Sequence, residues 1–363
     1  MKQEAPAFDR FAHWSKGAAR AALAAIILIL AAAAWTVPGA SRSSLTVSAS
    51  ESAAAEPARD DDLRLYDRIV ERVAAGENYY TVAIAEQRAR NFPVRPAVTV
   101  RLPTLAFLTV WLGPNGLLAS AGLLGLGVLA AWWRRLGEEP GGRDRRVIAM
   151  LLLAVGALAG LKPEYLALHE VWAGLLLALG GGLHRPGRWR AAWLPVALAL
   201  AIREHALPFV LLLAVMAAWR RDWREAAAWF ALILLFAGGL ALHVHTVGEH
   251  LLPSDRPSPP WLVFRGLGGW TGNIVTSSIL HVLPARLAAP LALLPLVGWA
   301  AWNSPAGRFF TLLFAGYGVL FMIAGRANNF YWALMVTPAW FVGYAFLPMA
   351  LRSLLANAAR TRP

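Results

Sequence analysis

Apolar residues in this chain gather into separate blocks long enough to reach across a ~30 Å hydrocarbon layer, and that constrains the fold more than any other feature. The 363 residues are 58% hydrophobic and include 17 Trp. The first block runs from about Ala21 to Val37, behind Lys2, Arg10, Lys16 and Arg20. Pro114–Trp133 ends in Trp132-Trp133-Arg134-Arg135, an aromatic belt followed by a positive stop. Val147–Leu161, Val171–Leu183, Ala191–Ile202, Pro208–Trp219 and Ala226–Leu242 come next. Leu287–Trp302, Phe309–Ala324 and Tyr331–Leu351 complete the set. The expectation is an all-α, polytopic helix bundle of about ten spans, forming a single membrane domain over 1–363.

A signal peptide begins as this chain does, and the Ala-rich residues at 49–55 offer a cleavage site. An uncleaved first span is preferred because so many spans follow. It places Pro38 outside. The connectors 134–146, 184–190 and 220–224 are Arg-rich and fall on the cytoplasmic side, as does the tail with Arg352, Arg360 and Arg362. Both termini are therefore expected in the cytoplasm, with the bacterial inner membrane as the location.

The formal charge of +13 sits between apolar blocks, which suits anionic lipid rather than nucleic acid. With no Cys, disulfides and thiolate metal sites are excluded. No P-loop or Rossmann fingerprint is present, and no internal repeat marks an inverted-repeat transporter.

The most informative polar segment is the extracytoplasmic loop 38–101. Ser41–Ala58 reads as flexible linker. After Asp60-Asp61-Asp62, the spacing of Leu65, Ile69 and Val73 predicts a helix, with Asp61 or Asp62 as N-cap and Gly76 as its stop. Arg64, Asp67, Arg68, Glu71 and Arg72 fill the other face, so this helix is expected to lie on the membrane surface. A second helix is expected over Thr81–Arg90, then a short apolar stretch, Thr104–Leu112. The acidic triplet serves either as capping and solvated charge or as a carboxylate that activates an acceptor hydroxyl.

The run Asp62-Leu63-Arg64-Leu65-Tyr66 with Gly76-x-x-Tyr79 resembles the D-L-x-x-Y…G-x-x-Y signature of the GT-C superfamily. These are polytopic glycosyltransferases that include bacterial polyprenyl-phosphate-mannose-dependent mannosyltransferases. The layout Arg185–Arg190, Ala191–Ile202, Arg203-Glu204-His205, Pro208 and Arg220-Arg221 is similar to the family's middle section. Gly325–Trp332 with Pro338 is similar to its last external turn. The pattern departs where Leu168-His169-Glu170 replaces the family's Gly-Gln and Asn, and where Arg203 or His205 stands for its usual Lys.

The resemblance implies an acidic catalytic residue in the first external loop: Asp62, with Asp61 next. Tyr66, Tyr79 and Tyr80 in the same stretch are expected to contact substrate. Arg203 can bind a lipid phosphate with His205 adding a hydrogen bond, or the two belong to an interfacial loop whose charges snorkel to water. Arg326 and Tyr331 at the last external turn either bind phosphate or anchor the interface. Glu170 is either a second carboxylate or a helix N-terminal charge, the latter preferred. The partners implied are a polyprenyl-phosphate sugar donor, a glycan or lipid acceptor and membrane lipid. His243, His245, Glu249 and His250 form a weak metal pattern, read as interfacial histidines. No cofactor is expected, and a divalent cation is not indicated. The loop 244–285, with Pro257, Pro259 and Pro260, is expected to cover the substrate. A transporter or flippase and a non-catalytic assembly protein are the rival classes.

Overall fold

The computed structural model describes residues 8–36, 61–158 and 162–360; Asp60, the expected linker Ser41–Ala58 and the segment 49–55 lie outside these. In chain order the helices are α1 (Lys16–Trp35), α2 (Asp61–Ala74), α3 (Tyr79–Ala89), α4 (Thr104–Glu138) and α5 (Arg146–Leu158). Then come α6 (His169–Leu183), α7 (Arg190–Ile202), α8 (Leu207–Trp219), α9 (Trp223–Glu249) and α10 (Gly266–Thr276). The last are α11 (Ala285–Ala301), α12 (Pro305–Ile323), α13 (Thr337–Trp340) and α14 (Leu347–Ala359). No strand occurs among the described residues; four isolated bridges are the only sheet-type pairing there.

Among the described residues four helical stretches are long and apolar enough to cross a membrane: Lys16–Trp35, Ala97–Glu138, Trp223–Glu249 and Pro305–Ile323. Their outward residues are lipid-compatible; Leu28, Leu126 and Leu234 are all more than 60% exposed. α6 is buried nearly all round, as an apolar helix without a polar face must be. The last apolar block is not one straight span. Residues 337–345 and Leu347–Ala359 meet at a 46° bend. Pro338 and Pro348 each stand at the start of a new helical segment, because proline cannot donate to the turn before it.

The connectors sort to two ends. At one end Arg185 pairs with Glu138 at 2.9 Å, His184 with Glu225 at 2.8 Å, and the Trp302 indole donates to the Pro140 carbonyl at 2.7 Å. Asn303 N–H donates to Phe8 O there, and Asn357 closes on Phe11 O. The groups that meet at this end include the N-terminal segment, the Arg-rich connectors and the C-terminal helix. The connectors that carry Arg101, Arg203 and Arg326 meet instead around the cavity described below.

There α2 and α3 form a surface layer. Leu65, Ile69 and Val73 on α2 and Val82, Ala83 and Ile84 on α3 share a small core with Ala106 of α4 and Val247 of α9. Arg64, Arg68 and Glu71 face outward. Gly76 closes α2 with φ 91°, Glu77 N–H reaching Arg72 O and Gly76 N–H reaching Val73 O, a glycine-dependent stop. Asp61 and Asp62 are both helical in α2, not at the cap position expected for them, and the residues before Asp61 lie outside the described ones. α3 starts at Tyr79, earlier than expected, because Asn78 caps it by accepting from the N–H groups of Tyr80 and Thr81.

Thr104–Leu112 and the block that follows are joined in α4, broken at Gly113 (φ 64°, ψ 176°) beside Pro114. The loop expected over 244–285 is shorter than that. α9 continues to Glu249, which puts His243, His245 and Glu249 on a helix, and Gly266–Thr276 forms the half-buried α10.

A candidate active site at one end of the bundle

A cavity of about 840 Å³ opens where α2, the start of α4, and the connectors before α6, α8 and α13 converge. Asp62, Tyr66, Tyr79, Arg203, His205, Arg326 and Tyr331, singled out from the sequence, all line it. They come from separate stretches of chain, which only the bundle brings together.

Each side chain is placed by its element. Asp62 and Tyr66 are one turn apart on α2, so both point at the cavity from the surface layer. Tyr331 donates to Asp62 Oδ2 at 3.4 Å and accepts from Asn329 Nδ2 at 3.2 Å. Asn329 in turn accepts from the Arg326 N–H at 3.0 Å, which fixes the turn that carries the arginine. Asp61 is the residue before Asp62 in the same helix.

Arg203 is fully buried between two carboxylates. Its Nε donates to Glu170 Oε1 at 2.7 Å and its Nη1 to Glu204 Oε1. Glu170 stands in the first turn of α6, the helix N-terminal position preferred for it from the sequence, where it pairs with Arg203; it does not itself line the cavity. Glu204 also accepts from His205 Nδ1 at 3.0 Å and lies 3.9 Å from Arg101 Nη1. The phenol of Tyr317 donates to His205 O, and the His205 ring packs on Trp332 with centroids 4.4 Å apart.

Arg101 reads in the sequence only as part of a linker, yet it lines the cavity. Its Nε donates to the Tyr66 hydroxyl at 3.1 Å, and its carbonyl accepts from the Tyr79 hydroxyl at 2.6 Å. An arginine directly ahead of Leu-Pro and an apolar helix is the one signal available for it. Sequence reasoning also misses Trp261 and Ser258. The segment that carries them is held at Arg95 by Ser258 N–H and at Ile323 by Val263 N–H.

The electrostatics follow from burial and partners. Burial works against the charge on Glu204, but Arg203, His205 and Arg101 hold its carboxyl well below the ordinary range. Burial, with the charge of Arg203, keeps the His205 imidazole below its ordinary value. Burial also raises the phenol of Tyr66. Arg326 has no carboxylate in ion-pair contact among the described residues. Its Nε, together with Arg203 Nη2, Trp332 Nε1 and His169 Nδ1, is a buried nitrogen without a hydrogen-bond partner. Buried donors left open in this way suit an anionic guest.

The cavity is two-sided. Its polar wall holds the arginines and Asp62, and its apolar wall follows α4 through Leu105, Ala106, Leu117 and Leu118. Such a shape accommodates a charged head joined to an apolar tail.

Tyr80, grouped with Tyr79 in the sequence, does not line this cavity. It lines a second one and pairs with His243 Nδ1 at 3.4 Å, while His243 Nε2 meets Val100 O at 3.0 Å. Neighbouring residues on α3 point to different faces, which separates Tyr80 from Tyr79. Among the described residues no group of three or more His, Asp or Glu side chains converges as metal ligands would. Comparison of the chain with protein-family models, curated proteins and solved structures found no match.

Proposed function

We propose that this chain is a membrane glycosyltransferase that moves a sugar from a polyprenyl-phosphate carrier to an acceptor on the extracytoplasmic face. The observation that carries this reading is one cavity in which Asp62, presented by a surface helix, faces arginines from three different connectors beside an apolar wall. In the same reading the chain makes about ten crossings, α5 to α8 being short ones, and the Arg-rich end faces the cytoplasm of a bacterial inner membrane with both termini.

The chemistry asks little of the protein beyond placement and charge. Asp62 takes the proton of the acceptor hydroxyl as that oxygen bonds to the anomeric carbon. The bond from that carbon to the phosphate oxygen breaks, and its electron pair leaves on the polyprenyl phosphate. Arg326 and Arg101 neutralise the leaving group, and Arg203 contributes its open Nη2 from a position locked by Glu170 and Glu204. Tyr331 steers the Asp62 carboxylate. The donor's tail runs down the α4 wall.

The test is incorporation of radiolabelled sugar from polyprenyl-phosphate donors by membranes holding wild-type or Asp62→Asn protein. Transfer by the wild type, lost in Asp62→Asn at equal expression, is the expected result. Equal transfer by both would remove Asp62 from the chemistry, and no transfer across a broad donor panel would turn the reading toward transport.

A further inference from the structure

The second cavity lies between α7 and α9 and has a volume of about 350 Å³, within the range of small-ligand sites. Ala197, Leu200 and Ala201 form one wall, and Leu235, Phe236 and Gly239 the other. Leu102, Pro103 and Thr104 also line it, and the Tyr80 and His243 pair supplies polar groups.

Three observations bear on what occupies it. First, it is continuous with the lipid-facing surface of α9, where Leu234, Leu235 and Leu242 are 65–71% exposed. Its guest therefore comes from the hydrocarbon layer. Second, the space is not a by-product of tight packing. Some glycines in the bundle allow backbones to touch, since a Cβ on Gly298 would strike the Gly343 carbonyl and one on Gly174 the Leu334 carbonyl, while others, Gly122 and Gly316 among them, face open space. At Gly238 and Gly239 a Cβ meets nothing within 4 Å. A glycine pair inside a helix lowers its stability, and here no close neighbour explains it. Third, the two cavities share a wall. In the segment Arg101–Thr104, Arg101 faces the first cavity and the next three residues face the second. The first cavity already has its own apolar trough along α4.

We infer that the groove between α7 and α9 holds an acyl chain of the acceptor, which is therefore a membrane lipid and not a soluble glycan. This rests on the glycosyltransferase reading and narrows it. Two amphiphiles lie on either side of Arg101–Thr104, tails apart, with their heads meeting at Asp62. The Tyr80 hydroxyl and His243 sit at the level where an acyl chain joins its polar head. His243 is fixed by Val100 O through Nε2, so Nδ1 is the nitrogen that faces Tyr80.

The experiment uses the full chain in phosphatidylcholine vesicles containing diacylglycerol with a diazirine on its acyl chain. Crosslinked peptides are mapped by mass spectrometry. Wild type and the conservative Gly239→Ala are expected to crosslink within 197–201 and 235–243. Gly239→Trp and, independently, Ala201→Phe fill the groove and are expected to lose that label at least fivefold. Label that is spread evenly over the exposed faces, or unchanged in both filled variants, overturns the inference.

The same proteins are assayed for sugar transfer to extracted membrane lipids and to soluble glycans. A tenfold or larger rise in KM for the lipid acceptor in Gly239→Trp, with donor KM unchanged, supports the assignment. Transfer to soluble glycans alone, or a rise in donor KM instead, rejects it while leaving the glycosyltransferase reading standing. Absence of transfer by the wild type to any acceptor rejects that reading, and the acceptor assignment with it. Groove-specific crosslinks in that case would identify a lipid site without an acceptor role.

Discussion

The phenol of Tyr331 donates to the carboxylate of Asp62 across 3.4 Å, joining residues 269 positions apart in the chain. Asn329 donates to the same phenol, so the oxygen is held from both sides. Tyr331→Phe removes this contact and leaves the ring packing. A hydrogen bond to a charged group contributes about 1.5–3 kcal/mol, so transfer is expected to fall about 10- to 100-fold. Asp62→Asn is expected to fall further, by the roughly 10²–10⁴ typical of a lost general base. Steady-state rates in vesicles check both; full activity in Tyr331→Phe would show that Asp62 needs no steering.

Arg203→Met is expected to destabilise the fold more than it slows the chemistry. It leaves Glu170, 2% exposed, without its cation, and breaking a buried pair costs about 3–5 kcal/mol. Thermal unfolding in detergent measures this. An unchanged midpoint would mean that the Glu170–Arg203 pair is dispensable to the fold.

Arg101→Gln leaves the backbone carbonyl that anchors Tyr79 and removes the guanidinium from the cavity. Its expected signature is a raised donor KM of about tenfold or more, in line with the loss of one charge-assisted contact. An unchanged donor KM would assign phosphate binding to Arg326 and Arg203 without Arg101.

His205 and His184 are expected to make the fold sensitive to acid. Burial holds both imidazoles below their ordinary value, which is about 6.5. Below that pH the unfolded chain binds protons that the folded chain refuses, so stability is full above it and falls as pH drops toward the folded values. Glu204, held low by Arg203 after burial is overcome, adds a further loss only below its ordinary pKa of about 4.3. Unfolding midpoints between about pH 8 and 5 should therefore decline below about 6.5, and His205→Asn should flatten that slope. A slope unaltered by the substitution would assign the effect elsewhere.

Gly298→Ala should be among the most damaging small substitutions in the chain. Its Cβ would collide with the carbonyl of Gly343, backbone against backbone, where neither side can yield cheaply. Overpacking of this kind costs about 1–3 kcal/mol. Gly316→Ala, where a Cβ meets nothing within 4 Å, should instead be neutral or gain up to about 1 kcal/mol. Yield and melting point of the two variants, side by side, decide it.

Hydropathy makes the helices legible because a helix in hydrocarbon must carry its apolar residues in one continuous run. The described helices α5 to α8 begin within two residues of the expected starts. Charge between the blocks also groups connectors that do touch, as Arg185 and Glu138 show. Gly76 is readable because only glycine sits easily at φ 91°. What escapes is tertiary. Arg101 looks like any basic residue ahead of a span, and only the fold turns it toward Tyr66. Adjacency groups Tyr80 with Tyr79, yet a helix points neighbours about 100° apart. Hydropathy also runs smoothly through the bend near Phe346, because proline and glycine change a helix's direction without interrupting its apolarity.

The break in α4 carries one more consequence. Pro114 has no N–H to give, so the Val110 carbonyl lacks its helical donor where the helix already breaks at Gly113. Thr109, Pro114 and Asn115 all line the large cavity, so the interruption opens onto a space that polar groups and solvent can enter. Helix and hollow are therefore mutually dependent: closing the cavity with a bulky side chain would strand the interruption in a dry interior, and straightening the helix would fill the hollow from above.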